Sequence, residues 1–271
     1  MDVSAFIELF IRELETNSEL HNYYKLLKQQ RRFLFRKAYL EQRLQYVSHH
    51  LSEAGSSLWD VGCGYGTTAI FACLSGHHVL GTTLEFYYDQ IQRRLDYWSR
   101  YGDLSPLLIE YNDIFDMNVD KQRFDIIVLQ DTLHHLEPVN RAMEIFHHAL
   151  KSGGRLIVSE ENGNNLFIMM KNFAKRGFNR VTDLYDARLG KNIMFGNENA
   201  RSLKRWEQSL NTNGFYIAHD ETEYIRFFPP AFFHSGNYWN LIEKEQKIWK
   251  RNRFTREFLF FGTNFIALKV N

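Results

Sequence analysis

Apolar residues recur along this chain with two different periods, and the change from one to the other divides it. Val3, Phe6, Ile7, Phe10, Ile11 and Leu14 return at three- and four-residue steps, with Asp2, Ser4, Glu8, Arg12 and Glu13 on the other face. That spacing predicts an amphipathic helix over about 1–15. A second helical stripe follows in Phe33, Leu40, Leu44, Val47 and Leu51. Its flank carries Lys25, Lys28, Arg31, Arg32, Arg36, Lys37 and Arg43 against a single acid, Glu41. Such a charge run reads first as a solvated face rather than an anion-binding surface. From Ser57 the texture changes. Short apolar runs at 58–61, 78–84, 107–110, 124–129 and 155–159 alternate with helical stretches at 67–74, 87–101 and 139–150. This alternation implies right-handed βαβ units and a parallel sheet covered on both faces.

After Glu160 the alternation stops for about forty residues, then resumes with a helix at 200–211 and apolar runs at 215–228 and 258–270, the last broken by Gly262. Two insertions remain, 161–199 and 229–256, with helices expected near 166–174 and 238–250. Insertions on an α/β sheet gather where strand ends leave room, which is also where ligands bind.

Composition narrows the class. Of 271 residues, 44% are hydrophobic and 15% aromatic, enough for a large core and too apolar for disorder over most of the length. Thirty-three basic and 32 acidic residues leave a net charge of +1, so no overall field collects polyanions and no nucleic-acid partner is expected. Cys63 and Cys73 cannot build a disulfide framework or a four-cysteine zinc site. The N-terminus lacks a basic head followed by an apolar stretch, and no apolar run reaches the roughly 18–20 residues of a membrane helix. The expectation is a soluble, cytoplasmic protein without a transmembrane segment.

The most informative residues are Asp60-Val61-Gly62-Cys63-Gly64-Tyr65-Gly66, a strand that ends in an acid and then three alternating glycines. Glycines there let the backbone turn sharply and approach a ligand that a Cβ would repel. A dinucleotide fingerprint would need its last glycine at Thr67, and a phosphate-binding P-loop would need Lys followed by Ser or Thr; neither is present. The segment resembles motif I of class I S-adenosylmethionine-dependent methyltransferases. Glu85 ends the second run 19 residues after Gly66, where that family places a ribose-binding acid. Asn112-Asp113-Ile114 follows the third run, where it places an acid for the adenine. The segments 124–136 and 150–156 resemble the motifs around its fourth and fifth strands. The resemblance covers about 57–160 strongly and the rest of the chain more loosely.

What the resemblance implies is an α/β fold with a doubly wound, seven-stranded, mostly parallel sheet whose last strand runs antiparallel. A helical cap (1–55) would precede the cofactor-binding domain (56–271), and the two insertions would serve as lids. S-adenosyl-L-methionine would be the cofactor, held by Asp60, Gly62, Cys63, Gly64, Gly66, Glu85, Asp113, Ile114 and Gln130. A sulfonium amino acid with a ribose and an adenine but no phosphate suits acids and bare backbone in those places.

Four adjacent histidine pairs stand out, at 49–50, 77–78, 134–135 and 147–148. Neighbours on a helix or strand point apart, so a scaffold role is expected for three of them. His134 and His135 differ, because they follow the fourth strand at the cofactor face, and either is a candidate general base. Asp131, Glu161 and Asn162 loosely resemble a magnesium set, but the pattern departs from Asp-Asn and no metal is expected. Nucleobase-methylating enzymes carry an Asn- or Asp-Pro-Pro-aromatic motif where this chain has Gln130-Asp131-Thr132-Leu133, and Cys63 is committed to the glycine loop. The insertions are aromatic and apolar, so the expected partner is a small aromatic or lipid-like molecule methylated on oxygen, nitrogen or carbon. Lys171, Lys175, Arg176 and Arg180 suggest an anionic group on it. The rivals are a catalytically silent binder of the same cofactor and an RNA methyltransferase; a homodimer is left open.

Overall fold

The computed structural model describes residues 1–27, 30–51, 53–85, 88–234 and 237–270, without the side chains of 30 and 31. Lys28, Tyr87, Asn271 and the side chain of Arg31 therefore lie outside the described residues. In chain order the elements are α1 (Val3–Thr16), α2 (Ser18–Tyr24), α3 (Gln30–His50), β1 (Ser57–Val61), α4 (Thr67–Leu74), β2 (His78–Thr83), α5 (Gln90–Trp98) and β3 (Leu107–Tyr111). Then come β4 (Phe124–Gln130), α6 (Val139–Ala149), β5 (Leu150–Glu161), α7 (Leu166–Arg176), β6 (Val181–Asp186), β7 (Lys191–Gly196), α8 (Leu203–Thr212), β8 (Phe215–Ile225), α9 (Tyr238–Arg251), α10 (Arg253–Phe258) and β9 (Gly262–Lys269).

Seven strands form one sheet in the order β3-β2-β1-β4-β5-β9-β8. The pairs from β3 to β5 are parallel, while β9 runs antiparallel to both β5 and β8. This is the expected α/β sheet, with the antiparallel strand beginning at Gly262 because 253–258 forms α10 instead. The central strands read as continuous apolar runs because both faces are covered. Ile127 and Leu129 of β4 enter one core with Trp59, Phe146 and Phe265, while Ile126 and Val128 enter the other with Val47, Ala72 and Ile266. Strand order reverses between β1 and β4, since β2 and β3 lie to one side and β4 and β5 to the other. A crevice opens at such a switch point, beyond the carboxyl ends of the strands.

The N-terminal helices extend these cores. Phe6 of α1 stacks on Trp98 at 4.4 Å, and Val47 of α3 lies in the core formed with β4. In the first insertion the expected helix appears as α7, capped by the Asn165 side chain on Phe167 N and Ile168 N. The hairpin β6–β7 was not foreseen; its β6 residues are nearly all exposed, so no alternation of apolar and polar positions marks the strand. The second insertion is seated on α3, where Tyr238, Leu241 and Ile242 pack around Ala38 and Phe233. No helix among the described residues is long and apolar enough to cross a membrane.

Candidate cofactor and acceptor site

Gly62, Gly64 and Gly66 all sit in the left-handed region, with φ of +67°, +55° and +77°. A Cβ on Gly62 would fall 2.3 Å from Thr132 Cγ2, and one on Gly66 2.5 Å from Ile109 Cδ1, so both are needed for packing as well as for the turn. Gly64 is different: a Cβ there would meet only the Tyr23 hydroxyl, at 3.5 Å. Apart from its chain neighbours, no core side chain or backbone among the described residues stands within 4 Å of that position.

The turn is latched from below by Arg94, which is fully buried. Its Nη1 donates to Tyr65 O at 2.7 Å and to Thr67 Oγ1 at 2.8 Å, while Nε and Nη2 donate to the Glu13 carboxylate at 2.9 and 2.7 Å. Trp98 Nε1 completes Glu13 at 2.8 Å. One guanidinium thus ties α1, α5 and the glycine turn together, and both charges have several partners. Sequence inspection missed it, because the partners are 81 residues apart.

Above the turn lies a cavity of about 680 Å³ at the switch point. Asp60, Gly62, Cys63, Gly64, Glu85, Asp113, Ile114 and Gln130 all line it; Gly66 does not. The Cys63 Sγ lies over Gly81, where a Cβ would come within 3.0 Å of it. Asp60 is buried, and its Oδ2 has no partner among the described residues; the same holds for Gln130 Nε2, whose amide oxygen accepts from Thr68 Oγ1 at 2.7 Å. Burial raises the Asp60 carboxyl to about 7, against the backbone N–H of Ala69 and the charge of Arg43, which lower it. Glu85 and Tyr23 both line the cavity, and burial pushes the Tyr23 hydroxyl well above its ordinary value. Asp113 is engaged: Oδ1 accepts from Phe115 N at 3.1 Å and Oδ2 pairs with Lys191 Nζ at 2.5 Å.

The two candidate histidines part company. His134 is buried, does not line the cavity, and holds Glu160 Oε2 through Nδ1 at 2.5 Å. Burial opposes its charge, but the Glu160 carboxylate outweighs that and lifts it to about 9, so it is an imidazolium at neutral pH. His135 lines the cavity, stacked on Phe195 with ring centroids 4.3 Å apart. Its Nδ1 lies 2.8 Å from Gly196 O, which can only accept, so Nδ1 carries the proton and Nε2 keeps the lone pair. Burial and the neighbouring His134 charge lower its pKa, leaving it neutral. Of the other pairs, His49 and His50 end α3 with ring nitrogens within 4.8 Å of each other and of a Glu221 oxygen, closer together than neighbouring helix positions suggest.

The far half of the cavity is apolar and aromatic, walled by Phe10, Tyr24 and Leu40 of the N-terminal helices and by Ile193, Met194 and Phe195 of β7. It also contains Arg36 and Arg43, which corrects the expectation of a solvated α3 face for these two residues. They are turned inward because α3 passes beside the strand ends. Arg43 Nη1 binds Asp131 Oδ2 at 2.6 Å, and its Nε has no partner among the described residues. Lys171, Lys175, Arg176 and Arg180 do not reach this cavity; Lys171 pairs with Glu161 and Lys175 with Glu198. Asn162 spends its amide on the carbonyls of 256, 257 and 260, away from Asp131. Residues 161–199 contribute the hairpin to the lining, whereas no described residue of 229–256 does.

A family model described as a methyltransferase domain matches residues 28–230. A ubiquinone biosynthesis O-methyltransferase from Coxiella burnetii is 30% identical over 124 residues, 45% of this chain and 50% of that protein. One from Xylella fastidiosa is 29% identical over 123 residues, 44% and 48% of the two chains. The chain thus spans about half the length of the curated relatives it matches. Among solved structures, an S-adenosylmethionine-dependent methyltransferase from Mesorhizobium loti superimposes with a TM-score of 0.53 at 18% identity, covering 83% of this chain and 96% of that one. The [4+2]-cyclase SpnF does so with a TM-score of 0.54 at 17% identity, covering 84% and 80%. At such identities the likeness extends to the fold, and one fold carries more than one chemistry.

Proposed function

This chain belongs to the methyltransferase domain family, and from that premise we propose that it transfers the methyl group of S-adenosylmethionine to a small aromatic or lipid-like acceptor. The observation that carries the proposal is the pair of buried, unmatched polar groups, Asp60 Oδ2 and Gln130 Nε2, beside a glycine turn whose Gly64 lines the cavity. Both residues line the cavity, so a polar ligand bound there would complete atoms that the fold leaves without partners. A carboxylate, an amide and bare backbone suit an amino-acid end that carries an ammonium and a carboxylate. Glu85 suits the ribose hydroxyls, and Asp113 with Ile114 the adenine edge.

When bound, the cofactor supplies a methyl group already activated by a sulfonium. What remains for the chain is to orient the acceptor, exclude water and accept a proton. Positioning of this kind supplies up to about 7–11 kcal/mol of a barrier. His135 takes the proton of an acceptor hydroxyl at Nε2, its Nδ1–H held by Gly196; His134, charged and paired with Glu160, positions that segment. The relatives are named for O-methylation in ubiquinone biosynthesis, which favours an oxygen on a ring of that kind. The aromatic wall suits such a ring, and Arg36 and Arg43 suit an anionic substituent on it.

The test supplies methyl-labelled S-adenosylmethionine with phenols, hydroxylated quinones, lipids and amines. Label on a ring hydroxyl, strongest for acceptors with a carboxylate, is the expected result. Cofactor binding without transfer to any of them would make the chain a silent binder, and preferential labelling of RNA would overturn the acceptor class.

A further inference from the structure

Helix α7 is built inside out. At 100° per residue, Leu166, Phe167, Met169, Met170 and Phe173 fall within one arc, and all are exposed, Met170 to 71%. Phe178, two residues beyond the helix end, is 89% exposed. The face that α7 buries is narrow and holds only Ile168 and Asn172. A helix on a folded domain ordinarily turns its apolar stripe inward and its polar residues out. Cations border the arc, with Lys171 and Lys175 on one side and Arg176 on the other, and Arg180 just past the end. The next strand, β6, continues the exposed apolar surface with Val181, Leu184 and Tyr185.

We propose that the segment 166–185 is an interfacial element that docks on an anionic lipid surface. Its Phe, Met and Leu side chains enter the boundary between headgroups and acyl chains, while the bordering cations meet headgroup phosphates. Charge selects this occupant over a second copy of the chain: Lys171 and Lys175 stay more than half exposed although Glu161 and Glu198 pair with them, Arg176 and Arg180 form no ion pair among the described residues, and two such faces brought together would set one cationic border against another. The hairpin adds a consequence that rests on the proposed function. Leu184, Ile193 and Phe195 line the acceptor cavity, so docking through α7 and β6 brings the cavity beside the lipid phase.

Cosedimentation of the full chain with vesicles tests the docking without acceptor or turnover, so it stands or falls apart from the methyl-transfer proposal. Vesicles of phosphatidylcholine alone are compared with vesicles holding about 30 mol% phosphatidylglycerol. The expected result is at least about tenfold stronger binding to the anionic vesicles, weakened by salt, and its loss in the double variant Met170→Glu, Phe173→Glu. Both positions are exposed, so the variant should fold, and unchanged S-adenosylhomocysteine affinity verifies that it does. No binding to either vesicle would overturn the proposal. So would equal binding by the variant, or a dimer in analytical ultracentrifugation that the variant abolishes.

Discussion

Asp60 shows how a single residue trades folding against binding. Burial holds its folded pKa near 7 against an ordinary value of 3.8, so the folded state binds that proton more tightly than the unfolded chain. The resulting loss of stability is absent below about pH 4 and grows to its full size as pH rises through 7. Asp60→Asn should therefore gain on the order of 2 kcal/mol in urea unfolding at pH 8 and less at pH 5, while weakening S-adenosylhomocysteine binding. Replacing Arg94 by Ala should cost about 3–5 kcal/mol in the same assay, because Glu13 is left buried and charged. For the histidines, pH discriminates. A base at His135 gives a rate that falls only as pH drops below the ordinary imidazole value of 6.5, whereas one at His134 would give a rate still climbing near 9. His135→Ala should lower turnover by roughly 100- to 10,000-fold with cofactor affinity intact, and an unchanged rate would exclude it as the base. The glycines and the strand-end acids were legible in the sequence because their pattern is local. The Arg94 latch was not, since its partner lies on the first helix, and nothing in a lone sequence separates a charged histidine from a neutral one beside it.

Among the elements, the hairpin β6–β7 and helix α3 did most to change the expected picture. The hairpin is strapped over the sheet edge by Arg188 on Asp89, Tyr111 on Asp186 and Lys191 on Asp113 and Asp116. Lys191 competes with an adenine amino group for Asp113 Oδ2. Lys191→Ala should consequently tighten S-adenosylhomocysteine binding by about two- to fivefold, since a partly exposed ion pair is worth at most about 1 kcal/mol. Calorimetry measures this, and weaker binding would mean that Lys191 helps to hold the ligand. Hydrogen exchange in 1–20 and 181–196 should slow on cofactor binding if both close over the site. Unchanged protection in both would remove that closing role. The seven strands of the main sheet, α4 to α6 and α9 were legible because each has a core-facing period, and α7 because its apolar residues recur at helical spacing although that stripe faces outward. The inward turn of Arg36 and Arg43 was not, because a run of cations looks the same on a helix whether or not a cavity lies beside it.

At the scale of the molecule, all the residues assigned to the cofactor except Gly66 line one cavity, where the strand order reverses between β1 and β4. The alternating apolar runs foretold a parallel sheet covered on both faces, and the doubly wound order came with the resemblance carried by the glycine turn. The acceptor half was less legible, because it is assembled from α1 to α3 and from a hairpin far away in the chain. The central claim is that this crevice binds S-adenosylmethionine through the glycine turn and the strand-end acids. Titration calorimetry with S-adenosylhomocysteine, on the native chain and on Glu85→Ala, tests it most directly. The account predicts one site per chain, no binding of NAD, and a loss of about 2–3 kcal/mol in the variant, which is roughly 30- to 150-fold in affinity. Binding of NAD with none of S-adenosylhomocysteine, or an affinity indifferent to Glu85, would contradict it.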